Sequence, residues 1–178
     1  QSNFRGSTGH GRAYTFASNG DYGNGRVQQD IVEGVRWLLG QGIGDARRVG
    51  IVGHSFGGYS TLQGLTFQPE LFKVGVAGAP PSDLGWGMRW LVQSGDQGDL
   101  PDRSLKHTLA ALSLDATDPA TYARLHAQSP QANAMKMRRP LLIMAGGADR
   151  TVAIRDVIHY SATLKSLGRA VTLLVEPG

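Results

Sequence analysis

Apolar residues follow two different spacings along the chain, and their alternation predicts helices that succeed strands. Over residues 27–39, apolar positions recur every three or four residues, which is the period of an amphipathic helix. Short and nearly continuous apolar runs predict buried strands at 48–53, 72–79, 140–145 and 170–175. The intervening periodic segments predict further helices at 55–67 and 152–167.

Strands that alternate with helices imply a parallel sheet covered by helices on both faces, so the expected fold class is α/β. The whole of 1–178 is expected to form one domain. Residues 82–130 are less regular than the rest and are expected to form an insert, with helical pieces at 104–114 and 119–127.

Composition, charge and the absence of certain motifs exclude several kinds of functional site and partner. The 178 residues include 25 Gly and no Cys, which excludes disulfides, cysteine nucleophiles and cysteine-ligated metals. The net charge of +4 comes from scattered cations without a basic run, so nucleic acid is not an expected partner. The longest charge-free apolar stretch is far shorter than the ~20 residues of a transmembrane helix, so no membrane partner is expected. Phosphate-binding loops and metal-ligand spacings are missing from the sequence, so no cofactor and no metal are expected.

One motif in the sequence indicates a catalytic nucleophile. The segment GHSFG at 53–57 matches the nucleophile-elbow pattern G-x-S-x-G and stands between a predicted strand and a predicted helix. In that setting Ser55 would project its hydroxyl above the sheet as a nucleophile, and Gly53 and Gly57 would leave room for the turn. The Phe56 N–H would help to bind an oxyanion at the start of the helix. The alternative is an ordinary serine cap between a strand and a helix.

A serine nucleophile needs a histidine as base and a carboxylate that orients the histidine. In the fold that carries the nucleophile elbow, the carboxylate follows the serine along the chain and the histidine comes last. Asp149 follows the strand at 140–145 through a small-residue loop, and it is the expected acid, although it could instead begin the next helix. Asp156, inside that helix, is a weaker candidate. The base is harder to place, because none of the five histidines has a suitable position: His10, His54, His107, His126 and His159. His159 alone follows Asp149, and it lies in the middle of a predicted helix.

At these residues the chain resembles the prolyl oligopeptidase family of serine peptidases, especially its acylaminoacyl-peptidase and dipeptidyl-peptidase branches. The matching segments occur in the family's order and are NFRGSTGHG at 3–11, NGDYG at 19–23, GHSFGGY at 53–59, AGAP at 77–80 and PLLIMAGGAD at 140–149. The chain departs from the pattern at three positions. His10 stands where an aromatic residue is usual, and Ala145 and Ala153 replace a frequent His and Pro.

The resemblance implies an α/β-hydrolase fold without cofactor or metal. It also implies an acyl-enzyme on Ser55, Asp149 as orienting acid and Phe56 as oxyanion donor. In the family, the catalytic histidine follows the strand that corresponds to 170–175, so it is expected just beyond Gly178. An upstream strand and an N-terminal propeller are expected before Gln1. The chain would then be a partial catalytic domain, incomplete at both ends and inactive or nearly so when made alone.

The expected function is hydrolysis of short peptides, with Tyr59, Trp86 and Trp90 as pocket candidates. The two tryptophans could equally be core residues. Two alternatives stay open: a carboxylesterase on the same fold, because one triad serves both chemistries, or a non-catalytic binding fragment if the chain truly ends at Gly178. The sequence does not indicate a compartment.

Overall fold

Four parallel strands form a sheet in the computed structural model, which describes residues 2–93, 109 and 113–177. The strands lie side by side in chain order. They are β1 (Gly50–His54), β2 (Val74–Gly78), β3 (Leu141–Gly146) and β4 (Val171–Glu176). The register pairs His54 with Gly78, Gly78 with Met144, and Gly146 with Glu176, so neighbouring strands end within two residues of each other. All four strands therefore end at the same edge, and the expected parallel α/β architecture is confirmed.

Six helices connect and flank these strands in the described residues. They are α1 (Arg12–Phe16), α2 (Arg26–Gly40), α3 (Phe56–Phe67), α4 (Leu84–Gln93), α5 (Pro119–Ala127) and α6 (Ile154–Ser166), with a short 3-10 helix at Ala134–Lys136. Four of them agree with the sequence pattern to within two residues. Helices α1 and α4 were not predicted, because glycine and polar residues interrupt their apolar spacing. The helical piece expected at 104–114 lies outside the described residues, apart from 109, 113 and 114.

The hydrophobic core lies between one face of the sheet and helices α2, α3 and α6. Ala77 and Ile143 are register partners on this face and have no solvent exposure. Leu62 of α3 and Leu164 of α6 pack against them in the same cluster. Because full burial of one such side chain contributes about 1.5–3 kcal/mol, this layer fixes both helices against the strands.

The opposite face of the sheet carries exposed apolar side chains. Val52 is 76% exposed, and Val74, Met144 and Leu174 are each between 46% and 53% exposed. The sequence predicted helices on both faces because the strands are apolar on both. In the part of the chain that the structure describes, the helices cover one face.

The irregular insert contains a tight helix crossing. Helices α4 and α5 approach each other at Gly85, where a Cβ atom would lie 2.5 Å from the Tyr122 carbonyl oxygen. Met88 and Leu125 are buried beside this crossing in a small cluster of their own. Over the described residues, none of the helices combines the length and the apolar character needed to cross a bilayer.

Candidate active site

The turn between β1 and α3 holds Ser55 in a conformation that L-residues rarely adopt. Its backbone angles are φ 54° and ψ −119°, and its side chain makes no capping hydrogen bond to α3. Its N–H donates to the Gly78 carbonyl at 2.8 Å, which ties the turn to β2. Such strain costs on the order of 1–3 kcal/mol and persists only where the surroundings hold it. The geometry therefore lacks the bond expected of an ordinary serine cap and leaves the hydroxyl available for other chemistry.

Two glycines permit this turn, and they are not the pair that the motif suggests. A Cβ atom at Gly53 would lie 2.1 Å from the Gly57 carbonyl oxygen, and one at Gly58 would lie 2.7 Å from the Gly78 carbonyl oxygen. At Gly57 a Cβ atom would meet nothing within 4 Å. The expectation that Gly57 provides room is therefore wrong in the described structure, because its Cα faces open space. Gly58 supplies the close approach of α3 to β2 that the sequence pattern did not reveal.

Phe56 begins α3, and its N–H is one of the first groups of the helix that have no intrahelical acceptor. Its ring lies among three aromatic rings, at centroid distances of 5.7 Å to Phe4, 5.7 Å to Tyr22 and 5.8 Å to Tyr59. This packing fixes the residue whose N–H is the predicted oxyanion donor. The positive end of the α3 helix dipole lies at the Phe56 N–H and favours a negative charge beside it.

Asp149 lies in the loop after β3, five residues before α6 begins, so it does not cap that helix. One of its oxygens, Oδ1, accepts hydrogen bonds from the N–H groups of Thr151 at 2.8 Å and Val152 at 2.9 Å. These bonds hold the carboxylate in place through one oxygen. Among the described residues, Oδ2 has no hydrogen-bond donor, which leaves it able to accept one from a base.

The sheet brings Ser55 and Asp149 to the same edge. Ser55 directly follows β1, and Asp149 follows β3 two strands away, with β2 between them. Since neighbouring strands lie about 4.8 Å apart, these two strand ends are roughly 10 Å from each other. In a serine triad, an imidazole hydrogen-bonds to the hydroxyl through one ring nitrogen and to the carboxylate through the other, so the two side chains must lean toward each other from these strand ends to reach the same imidazole.

None of the histidines within the described residues hydrogen-bonds to Ser55 or Asp149. His54 is exposed on the open face of the sheet, and His10 packs edge-to-face against Tyr14. His126 pairs with Asp83, and His159 is exposed on α6. His107 lies outside the described residues. The expectation that none of the five histidines acts as the base stays a prediction.

Comparison with known proteins decides the family. The family model described as the prolyl oligopeptidase family matches residues 1–178. The chain belongs to the prolyl oligopeptidase family. Among curated relatives, it is 36% identical over 175 residues to dipeptidyl aminopeptidase BIII of Pseudoxanthomonas mexicana. It is 34% identical over 177 residues to dipeptidyl peptidase family member 6 of Caenorhabditis elegans. The matches cover 98% and 99% of this chain but only 24% and 23% of those relatives.

Solved structures of peptidases superpose on nearly the whole chain. An acylaminoacyl peptidase from Pyrococcus horikoshii matches with a TM-score of 0.78 and 25% identity, over 99% of this chain and 26% of that one. A puromycin-hydrolysing peptidase from Mycobacterium tuberculosis matches with a TM-score of 0.80 at 24% identity, over 98% of this chain and 24% of that one. The chain thus spans about a quarter of these relatives and shares the fold of that part. The resemblance and the α/β-hydrolase fold inferred from the sequence are both confirmed.

In this member of the prolyl oligopeptidase family, the pocket candidates lie in two different places. Tyr59 is 2% exposed and sits beneath Phe56, where its hydroxyl accepts a hydrogen bond from Gln63 at 2.6 Å. Burial raises its pKa well above the ordinary value. Trp86 and Trp90 stack on one side of α4, with ring centroids 6.3 Å apart. The structure does not bring either tryptophan into the cluster around Phe56, so contact of these three residues with substrate stays a prediction.

The N-terminal loop is anchored by an ion pair. The Arg5 guanidinium donates three hydrogen bonds to the two carboxylate oxygens of Asp30 in α2, at 2.6–3.0 Å, and the Arg5 backbone N–H donates a fourth at 2.8 Å. Burial alone would raise the pKa of Asp30, but the hydrogen bonds and charge of Arg5 outweigh it and hold the pKa below its ordinary value. The family resemblance included the segment that contains Arg5, but the sequence contained no signal for its contact with Asp30.

A second hydrogen-bond network, which the sequence patterns do not predict, ties the loop after β2 to α6. Asp156 accepts from the Ser82 N–H at 2.6 Å and from the Ser82 hydroxyl at 2.7 Å. Burial raises the pKa of Asp156 despite these bonds. Asp156, the weaker candidate for catalytic acid, is therefore occupied in joining two elements. Asp83, the next residue along the loop, pairs with His126 of α5 at 2.5 Å.

Proposed function

We propose that the chain is the nucleophile-bearing part of a serine peptidase that hydrolyses short peptides through an acyl-enzyme on Ser55. The observation that carries the proposal is the strained turn at Ser55, whose hydroxyl is not used to cap α3. Membership of the prolyl oligopeptidase family supports it, as do relatives named as dipeptidyl and acylaminoacyl peptidases.

In the proposed reaction, Ser55 Oγ attacks the carbonyl carbon of the scissile peptide bond and gives its proton to a histidine. The Phe56 N–H binds the oxyanion that forms. The histidine then protonates the leaving amine as the C–N bond breaks, which leaves an ester on Ser55. Water attacks that ester by the same route and releases the peptide carboxylate, while Asp149 orients the histidine throughout.

We place the histidine beyond Gly178. Strand β4 ends at the same edge as the site, where the Gly147 N–H donates to the Glu176 carbonyl at 2.8 Å. A segment that follows β4 therefore starts beside the loop that holds Asp149. The coding sequence downstream of Gly178 tests this placement: a Gly-His pair within a few codons supports it, and its absence favours the non-catalytic binding alternative.

The decisive activity test compares peptide and ester substrates on the intact protein. Dipeptidyl and N-acylaminoacyl p-nitroanilides should be hydrolysed, and Ser55→Ala should reduce kcat by roughly 10⁴-fold or more. Ser166→Ala removes an exposed serine of α6 and is the matched control, which should keep full activity. Turnover of p-nitrophenyl esters without any anilide turnover would replace the peptidase by the carboxylesterase alternative.

A further inference from the structure

A cleft of about 1090 Å³ lies between α4, α5 and α6. Its walls come from three stretches of chain, 83–89, 122–132 and 154–159. Ser55, Phe56 and Asp149 do not line it. The cleft is therefore separate from the place where Ser55 and Asp149 lie, although the Ser82–Asp156 bonds connect the loop after β2 to α6, the helix that follows the Asp149 loop.

Two carboxylates form part of the cleft wall, and internal partners satisfy both. Asp156 is 6% exposed and binds the N–H and hydroxyl of Ser82. Asp83 is 5% exposed, accepts from the Trp86 N–H at 3.1 Å and pairs with His126 Nδ1. Because these oxygens are buried and already hydrogen-bonded, they offer little to a ligand in the cleft.

The arginines along the cleft are differently placed. Arg89 and Arg155 are exposed, and neither forms a salt bridge with a carboxylate among the described residues. The Arg89 guanidinium lies over the Tyr122 ring, 5.0 Å from its centroid, which holds the group at the wall without neutralising it. The charged side chains that remain open to a ligand among these residues are thus the two arginines.

Apolar side chains lie next to these cations. Trp86 lines the cleft and stacks on Trp90, and Ile154 and Ile158 face it from α6. Ile158 is 49% exposed, so its side chain has apolar surface left to cover. A ligand that matches both features carries one negative charge and an apolar body.

We infer that this cleft binds small organic carboxylates with an aromatic or branched apolar body. The carboxylate pairs with Arg89 and Arg155, which are suited to planar oxyanions because guanidinium groups donate in a fork. The apolar body packs against Trp86 and Ile158. On this inference Trp86 serves the cleft and not the peptide pocket for which the sequence suggested it, and binding in the cleft does not require Ser55.

Isothermal titration calorimetry on the intact protein tests the site with three probes. 3-Phenylpropionate should bind at least tenfold more tightly than its neutral amide, 3-phenylpropanamide, and than acetate, which lacks the apolar body. Arg155→Gln should weaken 3-phenylpropionate about tenfold or more, since it removes one charge-assisted contact. Arg89→Gln should act similarly. Arg36→Gln changes an exposed arginine of α2 outside the cleft and should leave binding unchanged.

The outcomes separate this site from the candidate active site. Ser55→Ala should bind 3-phenylpropionate as the unchanged protein does. Loss of binding in Ser55→Ala together with normal binding in Arg155→Gln would place the ligand at the active site and overturn the inference. Equal binding of the amide, or no binding of any probe, would overturn it too. Arg155 is exposed, so its variant should keep the native melting temperature and decides the matter if Arg89→Gln is unstable.

Discussion

The glycines of the nucleophile motif should respond very differently to the same substitution. Gly53→Ala places a Cβ atom 2.1 Å from the carbonyl oxygen and 2.3 Å from the carbonyl carbon of Gly57, both of them backbone atoms. Gly57→Ala places its Cβ atom in open space. The two variants add the same methyl group within one five-residue turn, so each is the control of the other.

The size of the effect follows from the distances. To reach ordinary contact near 3.4 Å, the end of β1 and the first turn of α3 must separate by roughly 1 Å in Gly53→Ala. We expect this overpacking to cost about 1–3 kcal/mol of unfolding free energy. A shift of that size at the nucleophile should also reduce kcat by about 10²-fold. In Gly57→Ala, by contrast, alanine favours the helix by about 0.5–1 kcal/mol over glycine, so the stability should be kept or slightly raised.

Both quantities can be measured on the intact protein, unfolding free energy from urea denaturation followed by circular dichroism and kcat from p-nitroanilide hydrolysis. Burst titration with an active-site ester reports the fraction of reactive Ser55 and separates slow turnover from partial unfolding. If Gly53→Ala keeps both its stability and its kcat, the close approach of β1 to α3 does not shape the turn. A greater loss in Gly57→Ala than in Gly53→Ala would have the same meaning.

Three further substitutions test the contacts around the site. Asp30→Asn should lose about 1 kcal/mol of unfolding free energy at pH 7. Because Arg5 holds the pKa of Asp30 below its ordinary 3.8, this contribution is present above pH 4 and disappears as the pH falls through the lowered pKa. Urea denaturation across pH 3–7 measures this dependence. Asp149→Asn keeps an oxygen that can accept the N–H bonds of the turn, so the melting temperature should be unchanged. Because the variant lacks the carboxylate that orients the histidine, kcat should fall about 10⁴-fold in the anilide assay. Ser82→Ala leaves the buried Asp156 carboxylate with fewer donors and should cost about 2 kcal/mol at pH 7 in thermal denaturation; since burial raises the pKa of Asp156, the loss should shrink as the pH is lowered and the carboxyl group protonates.

Much of the fold was predictable because its core elements obey simple periods. The strand around Ile143 is a short apolar run and the helix around Leu164 is amphipathic, and both appear within two residues of the predicted bounds. The α4 helix was missed because Gly85 and Gly87 interrupt its sequence. Its crossing with α5 needs Gly85 to be small, and that requirement depends on Tyr122, which lies far away in the sequence. Local periodicity has no access to such a contact.

The candidate site was predictable where it depends on local backbone and unpredictable where it depends on pairing. The strand–turn–helix pattern predicted that Ser55 lies in the turn after a strand. The position of Asp149 in a loop after another strand predicted that it lies at the same edge of the sheet. The pairing of His126 with Asp83 and of Ser82 with Asp156 joins residues 43 and 74 positions apart. Single-residue patterns contain no record of these contacts, and so the role of Asp156 as an anchor was found only in the structure.

The edge that carries the candidate site is held by backbone bonds that run across all four strands. The Ser55 N–H donates to Gly78 at 2.8 Å, the Ala79 N–H to Met144 at 2.7 Å, and the Gly147 N–H to Glu176 at 2.8 Å. Ser55 and Ala79 both have positive φ angles, 54° and 40°, so two of the three donors sit at strained residues. Strain of this kind survives only when neighbouring bonds over-determine the backbone. Each strained residue therefore depends on the strand beside it, and the separation between the serine and the aspartate loop is set by the sheet edge as a whole.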